Sequence, residues 1–533
     1  MAEQVDVCVI GSGFGGSILA YYLAHAGQKV LVLERGERRA DDSLQVEIDA
    51  KELTKITHQF LGDGIVVLVG SVVGGGSLVY SGVSLRAPSF VFERQASGRR
   101  IWPTALTRRG LDPYYARAEQ GLGVHQLSFS EVGRRGGTWA LHMNRLGYRV
   151  DPIRQATTRC LHCGFCNTGC KFSRKNVVTM NYLRGAEHAG AEVRPDSEAI
   201  QVMPADGGYR VLYGPPDRAS IFQPAAPNLV HAREVQAKRV VLAGGAMGTG
   251  GLLVRSRPWL PALSAQAGNN LSANGDLALM ARLPADPSLP GRGLSMQQRG
   301  VAMDTVCYEF LKSHGFVIIT QHELSPATIV NGDPDELWWG LRKKHLMRSY
   351  GSELVGLAVI GVDGSPGRIL GNPSSSDEIK ATAAFGVSGI QFPIDRETRQ
   401  LWDGARRIVS GLVDRMGGEM VDLVLNASPD YDESAYTAHP VGTARLADSP
   451  AIGVANADGE VFGYPGLFVA DGAAVPTALG VNPSLTIAAI AERIASRLVR
   501  RLGHDPVDPP IANPHHEPWS AHDLPTSHTW RRR

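Results

Sequence analysis

The sequence predicts an α/β protein of two domains, on three observations. Val5–Glu34 reads as a strand, a glycine turn, a helix and a second strand closed by an acid. At 533 residues the chain exceeds the length at which one hydrophobic core keeps growing, so a second domain is expected. Ala278–Tyr436 lacks glycine turns of the first kind and alternates in short apolar stretches such as Phe316–Thr320 and Leu354–Val362.

The first element is the most informative. Gly11, Gly13 and Gly16 follow an apolar β-branched run directly and precede an amphipathic segment, so the turn aims a helix N-terminus at a pyrophosphate. Gly11, Gly13, Phe14, Gly15 and Gly16 are therefore candidate cofactor contacts. Glu34 ends the second strand, where a carboxylate can take ribose hydroxyls. An acid there suits a free 2′-hydroxyl, which means FAD or NAD rather than NADP. Arg35–Gly62 is charged and is predicted to be helical in parts. A second glycine cluster then spans Gly70–Gly82. Its three consecutive glycines, Gly74, Gly75 and Gly76, leave the backbone free to approach a flat ring or a phosphate, and Ser77 beside them is a further candidate contact.

Composition excludes several function classes. Lys plus Arg nearly balances Asp plus Glu, for a formal net charge of +2, and no long basic cluster appears. Nucleic acid is not an expected partner. The uncharged runs Val7–Ala24 and Gly64–Leu85 are broken by the glycines a nucleotide fold requires, so no transmembrane segment is expected. Met1–Val5 runs straight into the first strand, which leads us to expect a cytoplasmic protein. From Gly503 onward six prolines and five histidines are scattered through an apolar-poor tail, read as a solvated segment.

Paired with later phrases, the two glycine clusters place the chain in a family. L-D-P-Y-Y-A-R-A-E (Leu111–Glu119), R-V-V-L-A-G-G-A-M-G-T (Arg239–Thr249) and G-N-N-L-S-A-N-G-D (Gly268–Asp276) follow in order. The closing block His439–Ile487 holds H-P-V-G-T-A-R-L, L-F-V-A-D-G and V-N-P-S-L-T-I. In these motifs the sequence resembles the glucose-methanol-choline (GMC) flavoprotein oxidoreductases, and more narrowly their bacterial cholesterol oxidase branch.

The resemblance implies FAD, held in a Rossmann-like domain assembled from 1–90, 186–277 and 437–502. It also implies a capping region with a cysteine-rich loop (91–185), a substrate-binding domain built on a β-sheet capped by helices (278–436), and the tail 503–533. Ala243, Gly244, Asp471, Gly472, Asn482 and Pro483 are implied FAD contacts. His439 is expected to accept or orient the substrate hydroxyl, with Asn482 opposite. Glu323, in E-L-S-P, is similar to a stretch that places a proton-shuttling carboxylate over a steroid.

The implied activity is oxidation of the CH–OH group of a bulky apolar alcohol, sterol-like or polycyclic, to a ketone or aldehyde. Oxygen or an electron-accepting protein would be reduced in turn. Tyr80–Ser81 departs from the sterol oxidases, which commonly carry an asparagine there, and T-A-R-L follows the broader family pattern. Two other functions are open on the residues: a double-bond isomerase acting through Glu323, and an electron-transfer module.

Four of six cysteines, Cys160, Cys163, Cys166 and Cys170, stand in C-x2-C-x2-C-x3-C spacing. A tight loop of this kind can present thiolates to an iron-sulfur cluster. Lys171 replaces the proline usual after the last cysteine, and a reduced structural loop is the alternative. Cys8 and Cys307 read as small core residues.

Overall fold

Val7, Cys8 and Val9 are fully enclosed because strand β1 (Glu3–Ile10) runs parallel to a neighbour on each side and is covered on both faces. In the computed structural model, residues 3–44, 54–216, 231–284, 300–321, 344, 353–370, 389–421 and 434–511 are described. Helix α1 (Phe14–His25) follows the glycine turn at once and, where an amphipathic helix was expected, is buried from Phe14 to Ala24, because it is apolar nearly all round. Strand β2 (Val30–Leu33) returns beside β1.

Strands β3 (Thr57–Gly62) and β4 (Ile65–Gly70) form an antiparallel hairpin. The charged segment before the second glycine cluster therefore ends in a strand, where helix was also expected. The reason is pairing: Thr57–Gly62 is matched to β4 along its whole length.

Helices α2 (Arg108–Leu122), α3 (Arg134–Arg145) and α4 (Tyr182–His188) follow. Strands β5 (Glu192–Arg194), β6 (Glu198–Ala205), β7 (Gly208–Gly214) and β8 (Arg233–Leu242) complete most of the first sheet. Its order is β5-β2-β1-β8-β7-β6. The β6–β7 hairpin is the antiparallel edge. Helix α5 (Gly245–Ser256) leaves the C-terminal end of β8.

The second sheet comes from β9 (Leu277–Arg282), β10 (Met303–Cys307), β11 (Phe316–Gln321) and β12 (Leu354–Gly361). Helix α6 (Arg396–Arg415) crosses it, and β13 (Glu419–Val421) closes one edge. The sheet is antiparallel throughout, and its other edge is Asp151–Pro152, a two-residue strand that carried no sequence signal. Leu401, Trp402, Ala405, Val409 and Leu412 recur at helical spacing and turn α6 toward the core shared with β9 and β12. Asp395 caps the helix by accepting from Thr398 N at 2.8 Å.

Three late elements bring the halves together. Strand β14 (Ala435–Thr437) pairs parallel with β4, and β15 (Leu467–Val469) pairs parallel with β8. Helix α7 (Ser484–Arg501) packs on α1 and α2. The result is the predicted α/β class: a Rossmann-like parallel sheet, with a second sheet capped by helices.

Candidate active site

One cavity of about 650 Å³ runs from the end of β2 to the end of β14. Gly11, Gly13, Phe14 and Gly15 form part of its wall, and Glu34 stands at that end. Gly75 and Gly76 approach from the second glycine cluster, and Ala243 and Gly244 from the end of β8. Asp471, Gly472, Asn482 and Pro483 complete it from the C-terminal block. Three of the predicted contacts sit behind this wall and brace it. A side chain at Gly16 would strike the Gly11 carbonyl, so its role is to let helix and turn close. Gly74 N donates to Ser12 Oγ, and Ser77 Oγ donates to the Gly74 carbonyl and accepts from Val178 N.

Burial of Glu34 pushes its carboxyl up from the ordinary value, and hydrogen bonds from Ser12 and Gly36 oppose that shift. Ser12 donates to it through N at 3.0 Å and Oγ at 2.6 Å, and Gly36 N donates at 2.8 Å. Ser12, which sequence reasoning passed over, thereby links the acid to Gly74. Asp471 accepts from Gly245 N at 2.8 Å, Thr249 Oγ1 at 2.5 Å and Ala473 N at 2.8 Å. This ties the last block to the start of α5. Burial pushes its carboxyl up to about 6.

His439 and Asn482 meet at the other end of the cavity. Asn482 Nδ2 donates to His439 Nε2 at 3.1 Å, while Asn482 Oδ1 is buried with no hydrogen-bond partner among the described residues. On the far side of the ring, Nδ1 lies 2.9 and 2.8 Å from the two oxygens of Asp276. Asp276 closes the G-N-N-L-S-A-N-G-D phrase, yet sequence reasoning gave it no role. Phe60, Met303, Gln321, Ile369, Ile390 and Tyr436 line the same cavity, a mostly apolar set. Gln321 is the last residue before 322–343, so Glu323 lies outside the described residues.

The cysteine run is a loop against this cavity, with Asn167 and Thr168 in its wall. Cys160 is held above the ordinary thiol range by burial, and the thiols of Cys163 and Cys170 push it further up. Cys166 is buried, and it adds to the burial that pushes the Tyr80 hydroxyl up. Among the described residues, which include all four, no three Cys, His, Asp or Glu side chains gather as a metal-binding group. Beside the loop Lys175, 1% exposed, donates from its ammonium to the carbonyls of Cys166, Leu78 and Tyr80. Cys8 and Cys307 are buried core residues, as expected.

Two family models for GMC oxidoreductases match the chain, one over residues 7–271 and one over 394–491. The chain is 28% identical to a cholesterol oxidase of Mycobacterium tuberculosis, over 97% of this chain and 94% of that protein. It is 27% identical to a long-chain-alcohol oxidase of Arabidopsis thaliana, over 94% of this chain and 69% of the relative. Among solved structures, pyridoxine 4-oxidase from Mesorbium loti matches with a TM-score of 0.62 at 16% identity. That match covers 92% of this chain and 98% of the other. A formate oxidase matches with a TM-score of 0.64 at 14% identity, over 94% of this chain and 99% of the other. The chain belongs to the GMC oxidoreductases, and is accordingly an FAD-dependent alcohol oxidase or dehydrogenase.

Proposed function

We propose that this protein oxidises the CH–OH group of a bulky apolar alcohol to a ketone or aldehyde and passes the electrons to oxygen. The observation that carries this reading is the facing pair His439 and Asn482 in a cavity otherwise walled by Phe60, Met303, Ile369 and Ile390. Glu34 would hold the adenosine ribose, and Gly11, Gly13 and Gly15 the pyrophosphate. The methyl that an alanine would add at Gly13 meets no described atom within 4 Å, which is the room a phosphate needs. FAD, when bound, supplies the hydride acceptor.

His439 accepts the hydroxyl proton at Nε2, and Asn482 steadies the substrate oxygen beside it. The apolar side chains keep water from the reacting centre and receive the body of the alcohol. Oxygen is favoured because a cholesterol oxidase and a long-chain-alcohol oxidase are among the relatives. The cysteine run would favour a partner protein only if it held iron, and among the described residues no three metal-ligating side chains gather.

The experiment is anaerobic flavin reduction screened against primary, cyclic and polycyclic alcohols, followed by peroxide measurement in air. Fast reduction by bulky apolar alcohols with one peroxide per turnover is expected. Reduction confined to small polar alcohols, or turnover without peroxide, would overturn the reading.

A further inference from the structure

The turn that ends at Asp276 holds both members of the facing pair. Asn274, three residues beyond Leu271, accepts from Leu479 N at 2.7 Å and donates to the Val481 carbonyl at 2.8 Å, fixing the chain just before Asn482. Asp363 anchors the same turn by accepting from Ser272 Oγ at 2.7 Å and Gly275 N at 3.0 Å. Asp276 follows directly and reaches His439, 163 residues further along the chain.

We propose that Asp276 is a positioning residue that locks His439 in the Nδ1–H tautomer, so that Nε2 is left as the proton acceptor. This rests on the reading of His439 given above. An ionised carboxylate has acceptors only. Thr437 Oγ1 accepts from His439 N at 2.8 Å and has one proton to share between Asp276 Oδ2 at 2.8 Å and the Ala273 carbonyl at 3.0 Å. Both oxygens lie within 3 Å of Nδ1, and two acceptors cannot face each other there, so the ring must carry its proton on Nδ1. The other nitrogen then presents a lone pair, which is what the Asn482 amide donor faces. A substrate hydroxyl donating to Nε2 takes the place of that amide hydrogen. The opposite tautomer would present N–H to the hydroxyl and could not take its proton.

Asp276→Asn tests this because it changes the proton count with little change of shape. The asparagine oxygen is taken by Thr437, and its amide nitrogen donates to Nδ1, which selects the Nε2–H form. Expected are unchanged FAD content, an unchanged alcohol concentration for half-saturation, and a limiting rate of anaerobic flavin reduction lower by on the order of 10²–10⁴-fold. Asp276→Glu should recover part of that rate. In ¹⁵N-histidine-labelled holoenzyme, the His439 resonances, assigned by their loss in His439→Gln, should report protonation at Nδ1. Asp276→Asn should move it to Nε2.

A wild-type His439 already protonated at Nε2 would overturn the proposal, and so would Asp276→Asn reducing flavin at the wild-type rate. The wild-type spectrum decides even if the variant does not fold. Failure of the His439 reading itself is distinguishable: His439→Ala would then reduce flavin normally, whatever the tautomer.

Discussion

The ammonium of Lys175 donates to the Tyr80 carbonyl at 2.7 Å and lies 5.2 Å from the centroid of the same tyrosine ring. Tyr80 also packs edge-on against Phe14 at the glycine turn, with ring centroids 5.2 Å apart. One buried cation thus connects the cysteine loop to the wall of the cavity. Its positive charge is dispersed over carbonyl oxygens of Leu78, Tyr80 and Cys166.

Lys175→Met keeps the length of the side chain and removes the donors. Buried carbonyls would be left without this partner, so a loss on the order of 3 kcal/mol is expected. Urea unfolding of the holoenzyme measures it, and flavin should dissociate faster from the variant. Unchanged midpoint and unchanged flavin release would show that the contact is incidental.

The cysteines should behave as thiols of two kinds. Burial pushes Cys8 and Cys307 up to about 12, so alkylation of the native protein at pH 8 should spare both. Cys163 and Cys170, which are partly exposed, should be labelled first. Protein purified without oxygen should contain FAD and no stoichiometric iron. About four irons per chain, lowered by serine at any of Cys160, Cys163, Cys166 or Cys170, would restore the cluster.

Gly13→Ala and Gly11→Ala should fail differently. An added methyl at Gly13 meets no described atom, so the apoprotein should melt as the wild type does while retaining less FAD. At Gly11, φ is +102° and the methyl would lie 2.2 Å from the Ala243 carbonyl. That variant should be destabilised even without flavin. Equal melting temperatures with full flavin in both would refute this account of the turn.

His439→Ala should bind FAD normally and lose on the order of 10²–10⁴-fold in the rate of flavin reduction by alcohol. Stopped-flow absorbance under argon reads the rate directly. A wild-type rate would remove His439 from the chemistry.

Much of the fold was legible because its causes are local. A parallel strand buried on both faces reads as V-C-V, and a turn with positive φ at Gly11 demands a glycine. His439 and Asn482 were singled out from motif order, and their direct hydrogen bond is a finding of the structure alone. What only the tertiary structure decided are the contacts between distant segments. Asp276 reaches His439 because β14 pairs with β4 and sets the histidine over the turn that enters β9. Thr57–Gly62 is a strand because β4 lies beside it. The cysteine spacing left a cluster or a structural loop open, and only the structure shows that a lysine five residues beyond Cys170 donates to the Cys166 carbonyl. The physical reason is common to all three: spacing along the chain fixes what a segment can do alone, while the partner that satisfies a buried charge or donor is chosen by packing.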